Sequence, residues 1–266
     1  TDSGNPEGAN DVVYEAGLST GSGVGETTTT VGGTFTLSDA DGLDDIASVT
    51  INGQSVLIGD LVGTSINGAA GTFTVTAYDA ATGVATYSYT LTSATTDVAD
   101  AIESDVFTLS TTDADGVHSS DATVTIEIVD DQPVAADEPL ATLTEDGLIT
   151  EVSGNVLDND VVGADRPNSV VSWDGFTGDD LRAYGTLEQN TDGTWSFLLN
   201  NDLAATQALD EGESKSATYT YSFTDADGDP ATATLTITIN GANDGPHITT
   251  DSGNPEGAND VVYEAG

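Results

Sequence analysis

The chain has 266 residues, room for two domains of ordinary size, and sets 46 Asp and Glu against three Lys and Arg, a formal charge of −43. Such a charge repels nucleic acid and anionic membrane, suits a salty exterior, and calls for bound cations if the chain is to stay compact. It has no Cys, excluding disulfides and thiol catalysis, no Met even at position 1, which points to a fragment, and no apolar run of membrane-spanning length.

Thr1–Gly17, TDSGNPEGANDVVYEAG, recurs as Thr250–Gly266, which predicts a tandem array with a period of 249 residues. Val12–Glu15 is a predicted first strand. Gly21, Gly23 and Gly25 follow; a dinucleotide loop needs its third Gly where Glu26 stands, so the stretch reads as a flexible turn. Phe35 and Leu37 mark a strand ending in DADGLDD, Asp39–Asp45, and Val49 and Ile51 mark another. Phe73, Val75 and Ala77 lead through DAATG into Ala85, Tyr87, Tyr89 and Leu91, a hairpin. Thr95–Asp105 is an acidic loop.

Two stretches then share one pattern. Phe107–Pro133 and Tyr219–Pro246 each hold an alternating apolar run, an Asp-Ala-Asp-Gly turn, a second alternating run, and an Asp or Asn cluster before Pro. Period-two alternation predicts half-buried antiparallel strands, and Gly accepts the positive φ of the turn. Between these hairpins, Leu143 and Glu145, Val170–Trp173, Gly185–Leu187 and Trp195–Leu199 read as strands. GNVLDND, Gly154–Asp160, takes the loop position of DADGLDD, and Ala208–Ser216 that of the acidic loop.

About seven short strands per domain, with no convincing amphipathic helix, predict an all-β chain of two tandem immunoglobulin-like β-sandwiches. The expected layout is residues 1–11 as a linker from a preceding repeat, 12–131 as the first sandwich, 132–136 as a linker, 137–240 as the second sandwich, and 241–266 as a linker and the first strand of a following repeat. Val261–Glu264 is then expected to extend the second sandwich or dock on a neighbouring molecule.

GLDDIASVTINGQSV, YDAATGVATYSYTL and IEIVDDQPVA in the first domain resemble the repeats of giant adhesins exported by type I secretion in Gram-negative bacteria. VSGNVLDND, YGTLEQNTDGTWSFLL, YSFTDADGD and TITINGAND in the second are similar to the cadherin-like VCBS repeats of the same proteins. The resemblance covers nearly the whole chain. It implies a calcium-stabilised, surface-displayed stalk of an RTX-type adhesin, serving attachment or biofilm formation. The expected partners are neighbouring repeats of the same chain, with no membrane insertion and a monomer in isolation. The glycine-rich nonapeptides of an RTX β-roll do not occur in this sequence.

Ca²⁺ takes roughly six to eight oxygens from carboxylates, carbonyls and water. Asp-x-Asp pairs occur at Asp39/Asp41, Asp113/Asp115, Asp158/Asp160 and Asp225/Asp227/Asp229. They are not EF-hands: Gly stands at loop position four, and position twelve holds Thr50, Val124 or Thr236. One such turn alone would be a plain turn; four in corresponding places point to a cation. In this sandwich type the loops carrying them share a pole with the entering chain. The first pole is expected to gather Asp11, Asp39, Asp41, Asp113 and Asp115, and the second Asp158, Asp160, Asp225, Asp227 and Asp229, with Asp130 and Asp131 arriving from the linker. Asp100 or Glu103 can join from the acidic loop. By the resemblance, Glu15 matches a first-strand Glu of cadherins at the same junction. Glu145 repeats that role for the next junction, with Asn240, Asn243 and Asp244 in the linker role.

His118 and His247 have no His or Cys beside them, which argues against zinc. No Ser-His-Asp order or phosphate loop stands out, and among 46 acids a carboxylate pair arises by chance, so an enzyme is not expected. Trp195 shares a face with Phe197 and Leu199 and reads as core. Trp173 is the alternative focus, as the centre of a carbohydrate-binding module, set against packing in the core or a loop.

Overall fold

The computed structural model of the protein describes residues 11–96 and 102–246. The first sandwich comprises β1 (Asp11–Tyr14), β2 (Thr30–Thr36), β3 (Ile46–Ile51), β4 (Gln54–Leu57), β5 (Ser65–Asn67), β6 (Gly71–Asp79), β7 (Val84–Leu91), β8 (Glu103–Asp113) and β9 (Ala122–Val129). Its two sheets have the orders β1-β9-β8-β3-β4 and β2-β7-β6-β5. The second comprises β10 (Ala141–Thr144), β11 (Glu151–Asn155), β12 (Ser172–Gly178), β13 (Gly185–Gln189), β14 (Thr194–Leu199), β15 (Ser214–Thr224) and β16 (Pro230–Asn240), in sheets β10-β16-β15-β12 and β11-β14-β13. Among the described residues, helical structure is limited to short 3-10 turns.

Alternation sets the faces. Phe107 pairs with Val124 across β8 and β9, and Tyr219 with Leu235 across β15 and β16, all buried. Phe73 lies 4.6 Å from Tyr87 and 4.8 Å from Phe107 between ring centroids, which ties the two sheets of the first sandwich together. The outward positions of β15 and β16 are Ser and Thr instead of acids, apart from Pro230 and Asn240 at the two ends of β16. Thr218 and Thr236 bond at 2.9 Å, and Ser216 and Thr238 at 3.0 Å.

Several elements depart from expectation: β4 and β5 are additional strands, β10 ends before Glu145, and β12 begins at Ser172 instead of Val170. Ala77 is exposed, because a bulge between Val75 and Ala77 shifts the register and turns the following residues over. The acidic loop is shorter than expected, because β8 already begins at Glu103. Within that strand Asp105 is 2% exposed and accepts from Ala69 N (3.0 Å), Ala70 N (3.1 Å), Gly71 N (3.2 Å) and Tyr89 Oη (3.0 Å). Asp100 and the expected strand Val261–Glu264 lie outside the described residues.

The first and last strands of each sandwich pair in parallel. Asp11 to Tyr14 run beside Ile126 to Val129, and Ala141 to Thr144 beside Ile237 to Asn240. The chain therefore enters each sandwich at one end and leaves it at the other. The other named strand pairs are antiparallel.

Candidate metal centre between the domains

Because Tyr14 is in register with Val129, the next residues of both strands, Glu15 and Asp130, emerge together at the end of the first sandwich. The second sandwich contributes Asp165 from the loop between β11 and β12. Glu15, Asp130 and Asp165 each offer a carboxylate oxygen, and these oxygens lie within 4.8 Å of one another. Glu15 is 0% exposed and Asp165 6%. The buried Oε2 of Glu15, Oδ1 of Asp130, Oδ2 of Asp165 and Oδ2 of Asp225 have no hydrogen-bond donor. Buried carboxylate oxygens without donors cost free energy unless something else supplies positive charge.

The electrostatics agree. Burial, and then the neighbouring Glu15 and Asp227 carboxylates, push Asp165 up to about 8. Burial, followed by Asp229 and Asp227, pushes Asp130 up to about 7. Burial also raises Glu15, against the donors of Thr95, and raises Asp225 to about 6. Thr95 adds a proton-counting argument. Its backbone N–H and its hydroxyl both reach Oε1 of Glu15 at 2.6 Å, and the same hydroxyl contacts Oε2 of Glu103. One hydroxyl proton cannot serve two ionised carboxylates, so Glu15 and Glu103 compete for it. Glu15, Asp130 and Asp165 thus gather carboxylate oxygens, with the charges of Glu103 and Asp227 acting on them, in an arrangement of the kind a hard divalent cation such as Ca²⁺ fits.

Asp131 differs from Asp130 beside it. It is 2% exposed, and its carboxylate accepts from Ser22 N (2.8 Å), from the Ser22 hydroxyl and from Ala164 N (2.9 Å). The structure does not bring Asp158 and Asp160 into the Glu15–Asp130–Asp165 group. Asp160 accepts from Ala136 N at 2.8 Å and from Tyr221 Oη at 3.1 Å, and with Asp158 it acts on Glu138, which burial first and these two charges second push up to about 6.

At the opposite pole of the first sandwich, Asp39, Asp41 and Asp45 form a second close group. Asp113 and Asp115 act on Asp45, which burial and these like charges raise. Asp11 does not join them: it is buried and accepts from the Tyr87 hydroxyl. At the far end of the second sandwich, Glu145 follows β10 as Glu15 follows β1. It is 1% exposed, takes Ala242 N on Oε1 at 2.8 Å, and leaves Oε2 without a donor. Asn243 and Asp244 beyond it are exposed. Asp229 contributes its backbone, its N–H bonding Asp225 Oδ1 at 2.8 Å, and its charge raises Asp130.

Asp165, Asp45 and Glu138 were not singled out by spacing. The available signal was the alignment of the two domains, since Asp45 closely follows Asp41 as Asp165 closely follows Asp160. Trp173 is half-buried, donates Nε1–H to the Asn190 carbonyl at 3.1 Å and packs on Tyr221 at 5.9 Å, an anchored wall of the second core.

No curated protein matches the sequence. Residues 130–241 match the model of the bacterial cadherin-like domain. Similar solved structures include zebrafish RET cadherin-like domains 1 to 4 (9% identity, 80% of this chain and 42% of that one, TM-score 0.29). Others are mouse clustered PcdhgC3 EC1-3 (15%, 90% and 69%, TM-score 0.28) and human CDH23 EC21-23 (15%, 86% and 66%, TM-score 0.29). The chain spans less than half of the zebrafish structure, and only 25% of a matched eight-domain stretch of Down Syndrome Cell Adhesion Molecule. No helix among the described residues is long and apolar enough to cross a membrane. The chain is all-β, two β-sandwiches in tandem, and the second, residues 130–241, is similar to the bacterial cadherin-like domain.

Proposed function

We propose that this chain is an extender segment of a cell-surface adhesin: tandem sandwiches whose junctions hold Ca²⁺ and stiffen, keeping a distal ligand-binding domain away from the cell. One observation carries the reading. Carboxylates from both domains and the linker, Glu15, Asp165 and Asp130, converge within 4.8 Å with buried oxygens that no protein donor satisfies. A divalent cation there would neutralise the group and cross-link the two sandwiches, with Asp225, Asp227 and Glu103 completing the shell. The acidic group Asp39/Asp41/Asp45 and the buried Glu145 are the corresponding halves for junctions to a preceding and a following repeat. Extracellular display on an RTX-type adhesin exported by type I secretion, attachment or biofilm formation, and a monomeric state in isolation belong to the same proposal. Calorimetric titration of chelator-treated protein with Ca²⁺ tests it. Saturable binding that Asp165→Asn weakens is expected; absence of binding at millimolar Ca²⁺ would remove the basis for the reading.

A further inference from the structure

We propose that Ser22 and Asp131 form a latch that joins the two domains without any metal. The glycine-rich stretch after Glu15 folds back on itself: Leu18 N bonds Glu15 O at 2.8 Å, Gly21 N bonds Leu18 O at 2.9 Å and Gly23 N bonds Ala16 O at 2.9 Å. A side chain at Gly21 would put its Cβ 2.3 Å from Ala16 O and 2.6 Å from Glu15 O, so only glycine permits this fold-back. The result is that Ser22 presents its N–H and hydroxyl to Asp131 in the linker.

From the other side, the second sandwich presents Ala164 N to the same carboxylate, at 2.9 Å. The preceding Gly163 has φ +95°, and a Cβ there would lie 3.0 Å from Asp131 O, so the loop approaches the linker closely only because it is glycine. Val134 and Val161 exchange two backbone bonds of 2.8 Å and lace the linker further to the second sandwich. One buried carboxylate is therefore held by donors from both domains. Hydrogen bonds to an ionised acceptor are among the stronger ones, and these need no cation.

The latch also positions the metal centre, a claim that rests on the calcium reading. Ala164 adjoins Asp165, and the Ser22 loop springs from Glu15, so fixing Ser22 to Ala164 through Asp131 sets the separation of Glu15 and Asp165. Among the described residues the second sandwich has no counterpart of the Ser22 loop: only Asp146–Thr150 separate Glu145 from β11, where Ala16–Thr29 separate Glu15 from β2.

The test uses the full chain, which has no native Cys, spin-labelled at exposed Thr125→Cys and Ser153→Cys, with distances measured in chelator. A narrow interdomain distribution is expected. Asp131→Ala should broaden it at least twofold, and Ser22→Ala, which keeps the N–H, should broaden it less. With Ca²⁺ restored, Asp131→Ala should bind roughly tenfold more weakly, while Asp130→Asn loses affinity yet stays narrow in chelator. A wild-type distribution in chelator as broad as that of Asp131→Ala would overturn the latch, as would an unchanged distribution in both latch variants. If no variant binds Ca²⁺, the distances in chelator still decide the latch separately from the calcium reading. Should Asp131→Ala fail to fold, Ser22→Ala alone carries the same comparison.

Discussion

Asp45 and Asp165 occupy the same place in the two sandwiches: each gives its backbone carbonyl to the Ala of an Asp-Ala-Asp-Gly turn, Ala114 at 2.9 Å and Ala226 at 3.2 Å. Asp45, Asp113 and Asp115 at the first pole therefore stand where Asp165, Asp225 and Asp227 stand at the middle junction. What the first pole lacks, among the described residues, is a Glu15 and an Asp130 arriving from a sandwich ahead of it.

That correspondence predicts which acids matter for binding. Asp165→Asn and Glu15→Gln should each lower Ca²⁺ affinity at the middle junction by an order of magnitude or more, measured by calorimetry. Asp158→Asn with Asp160→Asn should leave that junction's affinity within a few fold, because Asp160 accepts from Tyr221 and Ala136 and Asp158 acts with it on Glu138. Equal losses from both sets would mean that the ligands are drawn from a wider ring than Glu15, Asp130 and Asp165.

Calcium removal should lower the melting temperature. A ligand at one hundred times its dissociation constant stabilises the folded state by about 2.7 kcal/mol per site. For domains of this size that corresponds to several degrees. Differential scanning calorimetry in chelator and in millimolar Ca²⁺ measures the difference, and superimposed thermograms would contradict the prediction.

The metal-free protein should become more stable as pH falls from about 8 towards 4. Asp130 and Asp165 have folded-state values raised to about 7 and about 8, above the ordinary carboxylate value of about 4. A raised carboxyl binds its proton more tightly folded than unfolded, so its contribution is fully present below the unfolded value and disappears as pH rises through the folded one. With Ca²⁺ bound the trend should reverse over the same range, because protons compete for the ligands. Thermal melts at half-unit steps of pH, with and without chelator, check the crossing.

Asp105 should behave as a core residue, indifferent to metal. Its carboxylate serves three backbone N–H groups and the Tyr89 hydroxyl, so Asp105→Ala leaves four donors, three of them buried, unserved. A loss of about 3 kcal/mol is expected, equal in chelator and in Ca²⁺, from denaturant unfolding of the first sandwich. A loss seen only in Ca²⁺ would make Asp105 part of the metal chemistry.

The two closing hairpins were legible because alternation is a local signal: Phe107 and Val124, or Tyr219 and Leu235, declare a buried face from neighbours two residues away. The junction was legible in kind, since linker acids next to Asp-x-Asp turns mark where charge accumulates. Its membership was not. Asp165 lies in GADRP, with no acid two places away, and reaches Glu15 only through the packing of one sandwich on the next. Asp160 sits in a convincing Asp-x-Asp pair, yet the Tyr221 hydroxyl claims it. Asp131 looked equivalent to Asp130, and the donors that the Ser22 loop and Ala164 bring to it separate their roles. The bulge after Val75 is likewise invisible to a period-two count.

The parallel pairing of first and last strands has a mechanical consequence. A pulling force transmitted along the chain acts on the start of β1 and the end of β9, at opposite ends of the same ladder. Tension then tries to slide the two strands past each other, so the bonds between Asp11–Tyr14 and Ile126–Val129 share the load instead of opening one at a time. Ala141–Thr144 against Ile237–Asn240 repeats the arrangement. Each sandwich is thus loaded in shear, the geometry that slows forced unfolding, a process set by the unfolding rate.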